Sequence, residues 1–210
     1  MRINSQIYTL LSIKQIEVSI ILRICCFERS NDMSTNENLF LKSLRPIDYG
    51  DLDGEEFEPY FNRVSSIAPN IPKSVLFDWF YRHFDSVDYR YSSLNFEKMK
   101  FIKEEWSTED IYRLINTDKN HDLDELGFHL YEQTSPTQRY VIEHRTWPNP
   151  IIVLDNKEGQ HSTYDGVLGK PFHLLEGHLR MSYFRKLYRE ERETLPESHF
   201  IWKVTIENDG

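Results

Sequence analysis

The sequence predicts an α+β protein: a helical N-terminal region followed by a small mixed sheet flanked by helices. Three observations carry that expectation. Val75, Leu76, Trp79, Phe80, His83 and Phe84 recur at the spacing of one helix face. Ile151-Ile152-Val153-Leu154 is a continuous apolar run between Pro150 and Asp155, the pattern of a strand buried on both faces. Phe172-His173-Leu174-Leu175-Glu176 stops at Gly177, and a helical stripe of Met181, Phe184, Leu187 and Tyr188 follows.

Composition narrows the class. The chain has 210 residues, 39% of them hydrophobic and 14% aromatic, with only 8 Gly and 9 Pro. Such a chain can build a core, so collagen-like and wholly disordered classes are excluded. A formal charge of −9 repels phosphate backbones at long range, which disfavours nucleic acid as a partner while leaving room for a local basic site. Both cysteines, Cys25 and Cys26, are adjacent. Beyond them the chain has no thiol for a disulfide scaffold, a thiolate zinc site or a nucleophile, and this usage suits the cytoplasm. No apolar run approaches the ~18 residues of a membrane span, so no membrane contact is expected.

Taken in order, residues 1–32 read as an N-terminal extension, disordered or non-native. Glu17 and Arg23 interrupt its apolar stretch, and Met33-Ser34-Thr35-Asn36 resembles an ordinary protein start. Residues 33–93 read as an acidic loop and a helical region. Asp48, Asp51, Asp53, Glu55, Glu56 and Glu58 form a solvated loop rather than a calcium site, because aligning Gly54 with the loop's glycine puts Tyr49 and Tyr60 at its first and last ligand positions. Pro72-Lys73-Ser74 opens the helix, on which His83 reads as a half-buried packing residue.

Residues 94–210 read as one domain with a large insertion at about 117–146. A strand is expected over residues 95–101. Ser107 then caps a helix through Ile111, Leu114 and Ile115, with Asp110 completing a capping box. Trp147-Pro148-Asn149-Pro150 is extended, since a residue before proline is pushed out of the helical region. After the 151–154 strand comes a glycine-bearing loop to Lys170, whose glycine spacing and Pro171 do not make a phosphate loop. The last strand, residues 200–206, puts Phe200, Trp202, Val204 and Ile206 on one face and reads as half-buried.

The junction at Glu176–Arg180 is the candidate site. A glycine lets backbone approach a ligand closely, a helix N-terminus offers amides and partial positive charge, and Arg180 adds a planar donor for phosphate oxygens. Pro150-Ile151-Ile152-Val153 together with Leu175-Glu176-Gly177-His178-Leu179-Arg180-Met181-Ser182 resembles the strand and second box of the ParB/sulfiredoxin-like superfamily. That box reads Gly-Glu-Arg-Arg in partition proteins and Gly-Cys-His-Arg in sulfiredoxins. The resemblance implies a site for ATP or CTP with magnesium, bound by Gly177, His178, Leu179 and Arg180. It implies Glu105, Glu176 and His178 as catalytic candidates, with Glu104 beside Glu105. His178 stands where sulfiredoxins carry cysteine, so sulfiredoxin chemistry is excluded. Leu179 replaces a usual polar residue.

Three function classes follow. The first is a small NTP hydrolase or phosphotransferase, with Arg180 and the helix amides on the phosphates. The second is a catalytically inactive nucleotide sensor or protein-interaction module of the same fold, which brings a protein partner beside the nucleotide. The third, a DNA-binding partition protein or nuclease, is disfavoured by the charge.

Overall fold

The computed structural model describes residues 38–51, 53–117, 123–163 and 166–207. The expected extension, residues 1–32, lies outside them. From Asn38 the chain forms α1 (Leu39–Ser43), α2 (Phe57–Val64), α3 (Lys73–Val75), a π-helical stretch (Leu76–Tyr81) and α4 (Arg82–Tyr91). Next come β1 (Met99–Ser107), α5 (Thr108–Leu114), β2 (Ile115–Asn116), α6 (Leu123–Leu126), a 3-10 turn (Gly127–Glu132) and α7 (Pro136–His144). The remainder is β3 (Ile151–Asp155), β4 (Ser162–Thr163), β5 (Gly166–Val167), β6 (Phe172–Glu176), α8 (His178–Glu190) and β7 (Ser198–Ile206). The protein is therefore α+β, and no described helix is long and apolar enough to cross a membrane.

Five strands make a mixed sheet in the order β1-β7-β3-β6-β2, while β4 and β5 pair separately. β7 lies antiparallel to β1 and parallel to β3, β3 is antiparallel to β6, and β6 is parallel to β2. Successive side chains of a strand point to opposite faces, so the apolar run of β3 feeds two cores at once. Ile152 and Leu154 join Leu175, Val204 and the helical side chains Tyr60, Trp79, Phe80 and Phe84. Ile151 and Val153 join Leu174, Ile201, Ile111 of α5, and Met181 and Phe184 of α8. Tyr183 and Leu187 of α8 form a third cluster with Leu130 and Val141, which seats α7 and the 3-10 turn against that helix. Each fully buried large side chain contributes about 1.5–3 kcal/mol, so both sheet faces are strongly held.

The first core runs from Leu41 to Val204 without a break at residue 93, so the helical region and the sheet share one interior. Several expected elements shift. Residues Phe96–Lys98 form a 3-10 turn, and β1 starts at Met99 and runs through Glu104, Glu105 and Trp106 to Ser107. The cause is tertiary: β7 offers a partner for each residue from Met99↔Ile206 to Ser107↔Ser198. β7 itself is covered on both faces, with Ile201 in one core and Val204 in the other, whereas Phe200 is 49% exposed. Ser107 does cap α5, accepting from the Asp110 N–H at 3.0 Å, but the Asp110 carboxylate accepts the Ser107 hydroxyl instead of closing the box on a backbone amide. Within the supposed insertion α7 has a complete capping box, Ser135 and Gln138, with Pro136 in its first turn. Glu55, expected to be solvated, pairs with Arg63 at 2.5 Å and accepts from the Ile47 N–H; the Arg63 hydrogen bond lowers its carboxyl pKa.

Candidate functional site

The site begins where β6 ends. Gly177 has φ +100°, a conformation that L side chains rarely adopt, and a Cβ placed there would stand 2.7 Å from Ile151 Cγ2. Both facts make glycine necessary for the turn from strand to helix. α8 then starts at His178, and Gly177 supplies no side-chain cap to its first amides. The first turn of a helix concentrates partial positive charge, so this end of α8 favours an anion.

Arg180 departs from expectation. Its guanidinium does not face the strand–helix mouth as a free donor, for the residue is only 9% exposed. Nη1 donates to Asp78 Oδ2 at 3.1 Å and to the Asn149 carbonyl at 2.9 Å, and Nη2 lies 3.6 Å from Glu176 Oε1. Asn149 Nδ2 closes the network on Asp78 Oδ1 at 3.3 Å. Asn149 lies in a bend, where the following Pro150 restricts its backbone, and its carbonyl accepts from the arginine. Asp78 comes from the π-helical stretch, a wide turn of the kind often found at functional sites. With two carboxylates beside it, Arg180 joins the helical layer to α8 and is not available to phosphate oxygens.

Glu176 is half-buried at the end of β6. Burial pushes its carboxyl above the usual range and the Asp78 charge adds to this, against the pull of His83, Arg180 and the Gly177 N–H. His178 is half-buried and Leu179 is 43% exposed. Glu105 is elsewhere: it is exposed on the edge strand β1, where it accepts from the Ser198 hydroxyl. β1 is three strands from β6 in the sheet order, about 14 Å at the usual strand spacing. The structure thus brings Glu176, Gly177, His178 and Arg180 together and leaves Glu105 outside. Glu104 is also on β1, paired with Lys203; that pair and the Trp106 N–H overcome its burial and lower its pKa.

Beside Glu176 and His178 lies a cleft of about 230 Å³, whose opposite wall is α4 and the turn before it. Trp79, His83 and Arg90 line that wall, with Leu175, Glu176 and His178 across from them. His83 is exposed, not half-buried, because its backbone (φ −132°, ψ 28°) leaves the helical range and kinks the rod where the π-helical stretch meets α4. Sequence reasoning missed His83, Arg90 and Asp78 as site residues. A signal existed for the first two, since Trp79, His83, Ser86 and Arg90 follow one helix face. Among the described residues no group of three or more His, Cys, Asp or Glu side chains is placed to hold a metal ion. Glu176 is the single carboxylate lining the cleft, and Arg180 already engages it. A protein-held magnesium needs at least one carboxylate free to ligate it, and the one here is engaged by Arg180, so these residues do not fit one.

No protein-family model matches the chain, and no curated protein or solved structure is significantly similar to it.

Proposed function

We propose that the cleft binds the phosphate end of a nucleotide and that the chain is a nucleotide-binding module rather than a phosphotransferase. The observation that carries this reading is the convergence of His83, Arg90 and His178 on one cleft at the N-terminus of α8. The Arg90 guanidinium and imidazole nitrogens beside a helix N-terminus suit an anion with several oxygens. The size argues in the same direction. At about 230 Å³ the cleft is below the ~300–1,000 Å³ of sites that engulf a drug-sized ligand, so a phosphate and its sugar enter and the base stays outside. The resemblance of Gly177–Arg180 to the ParB/sulfiredoxin-like box supports the same place, with Arg180 serving the fold and His83 and Arg90 replacing it at the ligand. The separation of Glu105 from Glu176 and His178 favours binding over group transfer, and a protein partner in the cytoplasm is the natural reader of such a sensor.

Calorimetric titration with ATP, CTP, GTP and pyrophosphate, with and without magnesium, tests the reading. At least one nucleotide is expected to bind without turnover. Arg90→Ala is expected to weaken it about tenfold to a hundredfold, the worth of a charge-assisted hydrogen bond. Binding that is absent for all four ligands, or equally strong in Arg90→Ala, refutes it.

A further inference from the structure

We propose that the outer edge of β1 is a docking surface for a second copy of this chain, which adds its own β1 antiparallel and joins the two sheets. β1 ends the sheet order and pairs on one side only, with β7. Two flanking bonds fix which backbone groups face outward. The Glu207 N–H donates to the Lys98 carbonyl at 3.2 Å, and the Thr108 N–H to the Glu197 carbonyl at 2.9 Å. Even-numbered residues therefore turn toward β7. Direction alternates along an antiparallel strand, so the N–H and C=O groups of Phe101, Lys103 and Glu105 face away from it. Asn70 Nδ2, donating to the Met99 carbonyl at 2.8 Å, agrees with this alternation and closes the edge at that end. Among the described residues nothing is hydrogen-bonded to the outward backbone groups of the other three.

Edge strands are commonly protected by charge, and here the charges are sorted by sign. Lys100 and Lys103 come first, Glu104 and Glu105 after them. A parallel copy would set like against like; an antiparallel copy sets base against acid, which stabilises cross-strand pairs. A two-fold axis normal to the sheet keeps each face on its own side. Placing that axis at Ile102 sets this side chain, 47% exposed, against its own counterpart. Lys100 then faces the second copy's Glu104, and Phe101 exchanges both backbone bonds with the second copy's Lys103. The present Lys100–Glu207 pair is more than half exposed on both sides, so it yields readily to a new partner. This inference does not depend on the nucleotide reading.

Sedimentation of the full chain from low to high micromolar concentration tests it, beside Lys103→Pro. Proline is tolerated on an edge strand where the N–H faces outward. The parent chain is expected to be a dimer that dissociates on dilution and weakens with salt. Lys103→Pro is expected to keep the parent far-UV circular dichroism and to sediment as a monomer throughout. If that variant does not fold, Ile102→Lys, a surface change at the axis, replaces it with the same expected loss. A parent chain that is monomeric at every concentration overturns the proposal, as does a dimer that persists in the folded variant. A monomer whose Phe101, Lys103 and Glu105 amides exchange slowly also overturns it, in favour of an occupant from the same chain.

Discussion

Replacing Arg180 with alanine should damage the fold. The guanidinium sits between Asp78 and Glu176, whose side chains are 6% and 20% exposed, and it also serves the Asn149 carbonyl. Its removal leaves two carboxylates together in a poorly hydrated place. Breaking a buried ion pair from one side costs about 3–5 kcal/mol, because the remaining charge loses its compensation. In a domain of this size each kcal/mol moves the melting temperature by roughly 2–4 °C, so a fall on the order of 10 °C is expected. Asp78→Asn in the same background removes one orphaned charge and should restore part of the loss, a coupling that a double-mutant cycle reads directly. Acid should also help. Burial already raises the Glu176 carboxyl. A carboxyl of that kind favours the folded state below its unfolded pKa and loses the contribution as pH rises through its folded pKa. The variant's deficit should therefore be smaller at mildly acid pH than at neutral pH. Thermal melts of the parent, Arg180→Ala and the double variant at both pH values are the assay. A shift under about 2 °C, the range of ordinary surface substitutions, would refute the reasoning.

Two further outcomes follow from the same geometry. Gly177→Ala must hold φ near +100° and press its methyl on Ile151, so chemical denaturation should show a loss of about 2 kcal/mol or more. His199 is 3% exposed, and burial pushes its imidazole down to about 4. It therefore contributes stability fully present above its unfolded pKa of ~6.5 and lost as pH falls toward 4, up to about 3 kcal/mol, and His199→Gln should flatten the stability profile across that window.

What was legible in the sequence was local. β3 announces itself as four apolar residues between Pro150 and Asp155, and β6, Gly177 and α8 follow from a run, a break and a stripe. α7 was equally legible, for Ser135, Pro136 and Gln138 spell its start, yet the charged surroundings hide the signal. β1 was misplaced because its length is set by β7, about a hundred residues later, and not by its own alternation. Arg180 illustrates the deeper limit. Its position in the first turn of α8 is readable, but its partner Asp78 lies 102 residues earlier. Spacing along a chain carries no information about such a meeting. The kink at His83 is similar, since a regular stripe conceals the wide turn that swings the imidazole outward.

The sheet order also has a consequence for how the molecule is made. β7 is the last of the described strands, yet it lies in the interior of the sheet, between β1 and β3. During synthesis β3 can pair with β6 as soon as residues 172–176 emerge, but β1 has β7 as its one strand partner and cannot join the sheet until residues 198–206 have left the ribosome. The nascent chain must hold β1 without its strand partner, and β3 with one edge open, while the roughly ninety residues between β1 and β7 are made, the period in which strand edges are most open to wrong partners. A frameshift or nonsense change just upstream of β7 would remove nine residues of sheet and strand everything on either side of them.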